Sequence, residues 1–175
     1  MSVVPMAHDD ETEVLAFYEG LDGGLADKVI GRQRLATVER DGIQFANLAT
    51  PEALGLPAAL LEGAEACGLP LGILEDGRFH LDLQGAVLAA RYTKQQTLRV
   101  TEHAARLFLY GRNVLAESVD WADPNLGKGD AAIVCNPRGE AMGLGMVTGS
   151  LKGKGEAVKP VQDLGTYLRD QDEDE

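Results

Sequence analysis

The sequence lacks the residues on which several classes of protein depend. Aromatic residues make up 5% of the chain, and its two cysteines, Cys67 and Cys135, have neither CxxC nor CxxH spacing. A platform that stacks several nucleic-acid bases, a zinc site and a disulfide framework are therefore not expected. No apolar run approaches the roughly 18 residues that a membrane helix needs, and the N-terminus becomes acidic too early for a signal peptide. We expect a cytoplasmic globular protein with no membrane partner, in which both cysteines are small buried hydrophobic residues.

Positive charge is scarce and unevenly distributed. The chain has 16 Lys and Arg residues against 28 Asp and Glu, a formal net charge of -12, and lysine supplies six of the bases. Yet the segment from Arg91 to Arg169 has eleven bases and eight acids, whereas residues 1–90 have five bases and fifteen acids. This segment indicates a polyanionic partner, with a chance excess of three charges as the alternative. The scarcity of lysine and the pI near 4.6 are typical of halophilic archaea, although an ordinary acidic protein also fits.

The first half of the chain alternates between helical and hairpin patterns. Acidic residues from Asp9 to Glu13 precede apolar positions at helical spacing, which predicts an opening helix. Asp41-Gly42 and Asp76-Gly77 each separate two alternating segments, and an Asp-Gly pair in that setting predicts a two-residue hairpin turn. Residues Gly85 to Tyr92 fit either a helix or apolar packing against the second hairpin. Helices combined with antiparallel hairpins indicate an α+β domain.

A second unit follows the polar stretch from Thr93 to Gln96. Its predicted elements are a strand at Leu98–Val100, a helix at Glu102–Tyr110 ended by Gly111, a polar loop through Trp121, strands AAIVC, AMGLGMVTG and EAVKPV, and a closing helix QDLGTYLR. Gly143 and Gly145 permit a bulge or a close backbone approach in the second of those three strands. Several short strands around one helix indicate a small closed β structure. We divide the chain into an α+β domain (1–94), a β domain (95–169) and an acidic disordered tail (170–175).

No constellation of catalytic residues is present in the sequence. His8, His80 and His103 have neither triad nor metal-ligand spacing. The glycine and lysine loop GSLKGKG, residues 149–155, lacks the GxxxxGK[ST] pattern of a nucleotide-binding loop, and GLGMVTG lacks the strand-to-helix context of a dinucleotide site. We predict that the protein is not an enzyme and has no cofactor and no metal.

The order of elements from Leu98 to Leu168 resembles that of a PUA domain, the RNA-binding module named for pseudouridine synthase and archaeosine transglycosylase. The segment GRFHLDLQGAVLAARYTKQQTLRVTEHAARLFLYGRNVL, Gly77 to Leu115, is similar to the domain junction of the Nip-seven family, archaeal and eukaryotic factors of large ribosomal subunit assembly. In that family FLYG followed by a polar residue and a valine or similar residue, here Phe108 to Val114, is distinctive. That similarity covers nearly the whole chain. The resemblance implies an α+β fold, in which an N-terminal mixed α/antiparallel-β domain is followed by a PUA-type β pseudo-barrel.

The resemblance also implies that basic residues and glycine turns bind RNA, because Lys, Arg and backbone amides are the groups that contact RNA phosphates. The candidate RNA-binding residues are Gly111, Arg112, Gly143, Gly145, Lys152, Lys154, Lys159 and Arg169. For each basic side chain the alternative is a solvated charge. In molar salt the Debye length falls to about 3 Å, so backbone approach at the three glycines is expected to matter more than net charge. Phe108 and Tyr110 are expected in the core, with FLY facing the sheet.

Two functions follow from the resemblance. The first is a non-catalytic factor of ribosome biogenesis and rRNA processing that grips ribosomal RNA precursor through its PUA domain. Its acidic N-terminal domain would engage ribosome assembly proteins, and contact with the RNA exosome is a further implication. The second is a PUA-containing accessory subunit of an RNA-modification or translation-initiation machine. The similarity at the domain junction favours the first function.

Overall fold

The computed structural model describes residues 2–62 and 67–166 of the 175-residue chain. The polypeptide divides into two compact units between Tyr92 and Thr93, two residues before the boundary expected from the sequence. None of the helices in these described ranges is both long and apolar enough to cross a membrane. The α+β fold class predicted from the sequence is confirmed, with an antiparallel sheet in the first unit and a curled, half-barrel sheet in the second.

The first unit is built on a five-stranded antiparallel sheet in the order β1-β2-β3-β4-β5. Its strands are β1 (Ser2–Pro5), β2 (Arg34–Arg40), β3 (Ile43–Ala49), β4 (Leu69–Glu75) and β5 (Arg78–Leu81). Both predicted hairpins form, and both residues of each Asp-Gly turn have positive φ, from 49° to 78°. Such φ values match the turn to the twist of the strands, and Gly and Asp tolerate them better than most residues. Strand β1 was not predicted, because four residues carry too little alternation to be recognised.

Helices cover part of this sheet. They are α1 (His8–Leu21), α2 (Leu25–Ile30), α3 (Pro51–Leu54), α4 (Ala58–Glu62) and α5 (Leu83–Ala89). The predicted opening helix is confirmed as α1, whose fully buried Tyr18 has its ring 5.9 Å from that of Phe79 on β5. Of the segment from Gly85 to Tyr92, the part up to Ala89 is helical and belongs to α5. The Asp82 carboxylate accepts a 2.7 Å hydrogen bond from the Leu83 N–H at the start of this helix.

The second unit is a six-stranded sheet in the order β7-β11-β10-β9-β6-β8, with one helix, α6 (Glu102–Leu109), and one 3-10 turn at Ala116–Ser118. Its strands are β6 (Thr97–Val100), β7 (Val114–Leu115), β8 (Val119–Ala122), β9 (Ala131–Cys135), β10 (Ala141–Val147) and β11 (Glu156–Asp163). Strands β6 and β9 are parallel, and the other pairs are antiparallel. Phe108 of α6 is fully buried in a core with Leu98, Val134 and Val158. Both cysteines of the chain are buried, as predicted.

Two details of the second unit differ from the sequence prediction. The expected loop through Trp121 contains β8, in which Trp121 lies opposite Arg99 of β6 and under its guanidinium, 5.5 Å from the ring centroid. Strand β11 continues to Asp163, so Gln162 and Asp163 are in a strand rather than in the predicted closing helix. Pairing with β10 explains this, because both residues have register partners there. Residues 167–169 of that helix and the predicted tail, 170–175, lie outside the described residues.

Candidate nucleic-acid interface

The C-terminal cap of α6 sets the position of Arg112. The Gly111 N–H donates to the Phe108 carbonyl at 2.8 Å, and the Arg112 N–H donates to the Leu107 carbonyl at 3.0 Å. This pair of bonds is a Schellman motif, which requires a left-handed residue after the helix, and Gly111 has a φ of +73°. The predicted helix end at Gly111 is therefore confirmed. Both Gly111 and Arg112 are exposed to solvent.

Tyr110 lies at the same helix end, and its predicted core position is wrong. It is 71% exposed, whereas Phe108 is completely buried. Residues two apart on a helix point roughly 200° apart, so the two rings cannot face the same sheet. Leu107, which shares the face of Tyr110, is 39% exposed. Helical periodicity alone could have identified Tyr110 as an exposed aromatic residue beside Arg112.

A hydrogen bond joins this helix end to the strand that follows the glycine and lysine loop. The Asn113 side-chain amide donates to the Glu156 carboxylate at 2.6 Å, and the Ala116 N–H donates to the Gly155 carbonyl at 2.8 Å. The cap of α6, strand β7 and the end of the loop at Lys154 therefore lie at one edge of the sheet. We call residues 110–115 and 150–159 the cap–loop edge.

The cap–loop edge carries four exposed bases, Arg112, Lys152, Lys154 and Lys159. Neither ion pair of the described residues, Arg40 with Asp41 and Arg138 with Glu140, involves any of them. Lys159 is opposite the partly exposed Met146 of β10, which places it on the outward face of β11. Ser150 holds the loop in shape, because its hydroxyl donates to the Lys152 carbonyl at 2.7 Å and accepts from the Lys152 N–H at 3.1 Å.

Gly143 and Gly145 are buried, and the structure gives them a packing role rather than a surface for RNA. A Cβ at Gly143 would lie 2.2 Å from the Gln162 carbonyl oxygen and 2.7 Å from the Phe108 ring. A Cβ at Gly145 would lie 2.4 Å from a methyl group of Val158. The predicted close approach to the backbone of these glycines is thus present, but the groups that approach it belong to β11 and the core rather than to RNA. The remaining candidate, Arg169, lies outside the described residues.

The glycines also lie where the pairing of β10 is irregular. Between Leu144, opposite Gln162, and Gly145, opposite Pro160, strand β11 has one extra residue, Val161. A second shift separates Ala141 from Gly143 along the β9 pairing. The second irregularity, with Met142 as the extra residue, lies in β10 and agrees with the bulge predicted for this strand, whereas the first is a bulge of its partner β11. Bulges of this kind bend the strands in which they occur.

The described residues contain no grouping of three or more His, Cys, Asp or Glu side chains suited to a metal ion. The cap–loop edge instead offers four cationic side chains, the backbone at a glycine turn, and one exposed aromatic ring. Phosphate oxygens are bound by the first two kinds of group, and an unpaired base stacks on the third. Chemically, the arrangement is suited to a single-stranded nucleic acid.

Comparison with known proteins agrees with this assignment at the level of the domain. Residues 96–172 match the family described as UPF0113 PUA domain. No curated protein matches the sequence significantly.

Three solved archaeal structures are similar to this chain. The first is a hypothetical protein of Pyrococcus horikoshii, with 17% identity and a TM-score of 0.66 over 92% of this chain and 93% of that one. The second is a conserved PUA domain protein of Thermoplasma acidophilum, with 16% identity and a TM-score of 0.65 over 95% and 97% of the two chains. A PUA domain protein of Aeropyrum pernix has 14% identity and a TM-score of 0.56 over 95% and 88%. At such low identity the likenesses show the fold alone. The family match therefore identifies residues 96–172 as a PUA domain of the UPF0113 type, a class of domain that generally binds RNA.

Proposed function

We propose that the protein is a non-catalytic RNA-binding factor that grips RNA at the cap–loop edge of its PUA domain. The observation that carries this proposal is the hydrogen bond between Asn113 and Glu156, which brings the cap of α6 next to the glycine and lysine loop. In this proposal Arg112, Lys152, Lys154 and Lys159 belong to one RNA-binding surface. Phosphates are expected on these cations, and the Gly111 turn allows the RNA backbone to approach closely.

Tyr110 adds a stacking position to this surface. Its ring is 71% exposed and lies two residues before Arg112. Stacking of a base on an aromatic side chain contributes about 1–3 kcal/mol and does not depend strongly on sequence. One such ring next to several cations favours a single-stranded or looped RNA, in which one base is free to leave its neighbours.

The biological setting that we propose is the assembly of the large ribosomal subunit, with ribosomal RNA precursor as the ligand. The similarity of Gly77 to Leu115 to the Nip-seven junction, together with the similarity of the N-terminal domain, supports this role. In this proposal the protein acts in the cytoplasm of a halophilic archaeon, and its acidic first unit contacts assembly proteins, including the RNA exosome. Fifteen acids against six bases in residues 1–92 favour a protein partner over RNA for that unit.

The test compares RNA binding by two triple variants that change charge equally. One variant replaces Lys152, Lys154 and Lys159 by Glu, and the control replaces the other three lysines of the chain, Lys28, Lys94 and Lys128, which are also exposed. Binding to labelled ribosomal RNA fragments is measured in concentrated KCl. We expect the first variant to lose about tenfold or more in affinity and the control to lose much less. Equal losses would mean diffuse attraction and would contradict the proposed interface.

Tyr110→Ala tests stacking separately from charge. We expect its affinity to fall by about fivefold to a hundredfold, as the loss of one stacked base predicts. Tyr110→Phe retains the ring and should bind as the unmodified protein does. If the unmodified protein binds no RNA at all, the acidic first unit is the working surface and the protein is an adaptor between proteins. Preference for transfer RNA over ribosomal precursor would instead favour an accessory subunit of an RNA-modification or translation-initiation machine.

A further inference from the structure

The cap–loop edge contains one acidic side chain among its bases, that of Glu156 at the start of β11. Glu156 is exposed, and neither ion pair found in the described part of the chain includes it. A carboxylate repels phosphate, so it weakens a surface that only has to attract the RNA backbone. Its presence here therefore calls for a role other than attraction of that backbone.

Two neighbouring donors orient the carboxylate of Glu156. The Asn113 side-chain amide donates to Oε2 at 2.6 Å, and the Thr148 hydroxyl donates to Oε1 at a longer 3.4 Å. A carboxylate has about four lone-pair sites in all, so these bonds leave a free site on each oxygen. The protein thus holds both oxygens in place while each of them can still accept a hydrogen bond.

An exposed apolar side chain lies next to this carboxylate. Leu115 of β7 is directly opposite Glu156 in the antiparallel pairing with β11, and it is 45% exposed. Directly opposite residues lie on the same face of a sheet, with their Cβ atoms about 4.5–5.5 Å apart. An apolar surface with a fixed acceptor at its border suits a flat ligand whose face packs on Leu115 and whose edge donates to Glu156.

Guanine is the RNA base whose edge fits such an acceptor. A carboxylate can only accept hydrogen bonds, and the bases of single-stranded RNA are recognised on their Watson–Crick edges. Guanine has two adjacent donors on that edge, the N1–H and the N2 amino group. In adenine, cytosine and uracil each donor on this edge is flanked by acceptors only, so the second carboxylate oxygen would face an acceptor and be repelled.

We propose that Glu156 recognises a guanine base of single-stranded RNA bound at the cap–loop edge, an inference that rests on the proposed RNA binding. The carboxylate accepts from the N1–H and from the N2 amino group, and Leu115 supports one face of the base. The negative charge of Glu156 weakens the attraction of RNA in general, whereas its two oriented oxygens favour one base over the others.

The test uses the full-length protein and short oligouridine RNAs that differ at their central position. That position carries guanosine, inosine, adenosine or uridine, and fluorescence anisotropy measures binding. We expect the guanosine probe to bind about fivefold to a hundredfold more tightly than the adenosine probe, as a base contact through two hydrogen bonds predicts. The inosine probe should lie between them, because inosine lacks the amino group and keeps only the N1–H.

Glu156→Gln separates recognition of the base from a structural role. Glutamine keeps an oxygen that accepts from Asn113 and replaces the other oxygen by an amide nitrogen, which only donates. We expect this variant to bind the adenosine and uridine probes at least as tightly as the unmodified protein does, and to lose the preference for guanosine.

Two further variants complete the comparison. Glu102→Gln removes the same charge from an exposed residue at the start of α6 and should retain the preference for guanosine. Leu115→Ala should weaken the binding of all four probes, because every base has a face that packs on an apolar surface. Circular dichroism verifies that each variant is folded.

Three results would overturn this proposal and leave the RNA binding in place. They are binding without a preference for guanosine, a preference that survives in Glu156→Gln, and an equal loss of affinity for all four probes in that variant. The last result would give Glu156 a structural role only. Failure of the unmodified protein to bind any probe would instead contradict both this proposal and the RNA binding on which it rests.

Discussion

Replacing Gly143 by Ala tests whether this glycine serves packing or RNA. The position is buried in β10, and an added Cβ would lie 2.2 Å from the Gln162 carbonyl oxygen, 2.7 Å from the Phe108 ring and 2.9 Å from the Asp163 Cα. Cβ atoms do not approach other atoms so closely, so something must move. Two of the three neighbours are backbone atoms of β11, which cannot turn away as a side chain can.

The size of the effect follows from these neighbours. Adding a methyl group to a packed core costs about 1–3 kcal/mol, and the rigid backbone places Gly143→Ala at the upper end. For a unit of this size, each 1 kcal/mol lowers Tm by about 4–8 °C, so we expect a fall of about 10 °C or more. Gly145→Ala should cost less, because its nearest neighbour, at 2.4 Å, is a methyl group of the Val158 side chain.

The assay is thermal unfolding of the full-length protein followed by circular dichroism, together with RNA binding at a temperature where both variants are folded. We expect a large loss of stability for Gly143→Ala, and RNA affinity that is nearly unchanged. An unchanged Tm with lost RNA affinity would refute the reasoning, since it would show that Gly143 faces the ligand rather than β11.

Three further changes test other parts of the fold. Tyr18→Phe removes a buried hydroxyl that has no hydrogen-bond partner among the described residues. The free energy of unfolding should therefore stay the same or rise by about 1 kcal/mol. A clear fall in the free energy of unfolding, measured by denaturant titration, would contradict this. Thr101→Ala removes the hydroxyl that accepts from the Ala104 N–H at the start of α6 and should cost about 1 kcal/mol, whereas Thr101→Ser should cost little in the same titrations. Burial raises the pKa of Cys135 from 9.0 to about 11, against the opposing charge of Arg99. As the pH rises, the unfolded chain therefore loses the Cys135 thiol proton before the folded protein does, so the contribution of this thiol to the free energy of unfolding is complete below pH 9 and should decline between pH 9 and pH 11. Cys135→Ala should remove that part of the decline. An identical pH profile of stability in the variant and the unmodified protein would contradict this prediction.

The sequence was informative wherever structure depends on neighbours along the chain. Asp41-Gly42 and Asp76-Gly77 determine their turns locally, and Gly111 determines the end of α6 through its own φ of +73°. Strand β8 was missed because pairing with β6, more than a dozen residues away, stabilises it. A short strand in a polar context has no local signal strong enough to reveal it.

The candidate site could be predicted in part for the same reason. The basic residues of the glycine and lysine loop were identified from composition, but their proximity to the α6 cap depends on the bond from Asn113 to Glu156, 43 residues apart. The burial of Gly143 likewise depends on β11, which pairs with β10 across a loop. Tyr110 is a different case, because its exposure could be predicted from the sequence. Residues two apart on a helix face different directions, so Tyr110 cannot share the buried face of Phe108.

The irregular end of β11 also affects how the molecule behaves in a crowded solution. Strand β7 pairs with β11 only through Glu156 and Val158, so within the described sheet no strand lies beyond Pro160 to Asp163. An open strand edge is a template for aggregation, because its free N–H and carbonyl groups can pair with another chain. Here Pro160 has no N–H to offer, and the extra residue Val161 distorts the spacing that an added strand would need. The bulge that curls the barrel thus also protects its open side from joining the sheet of another molecule.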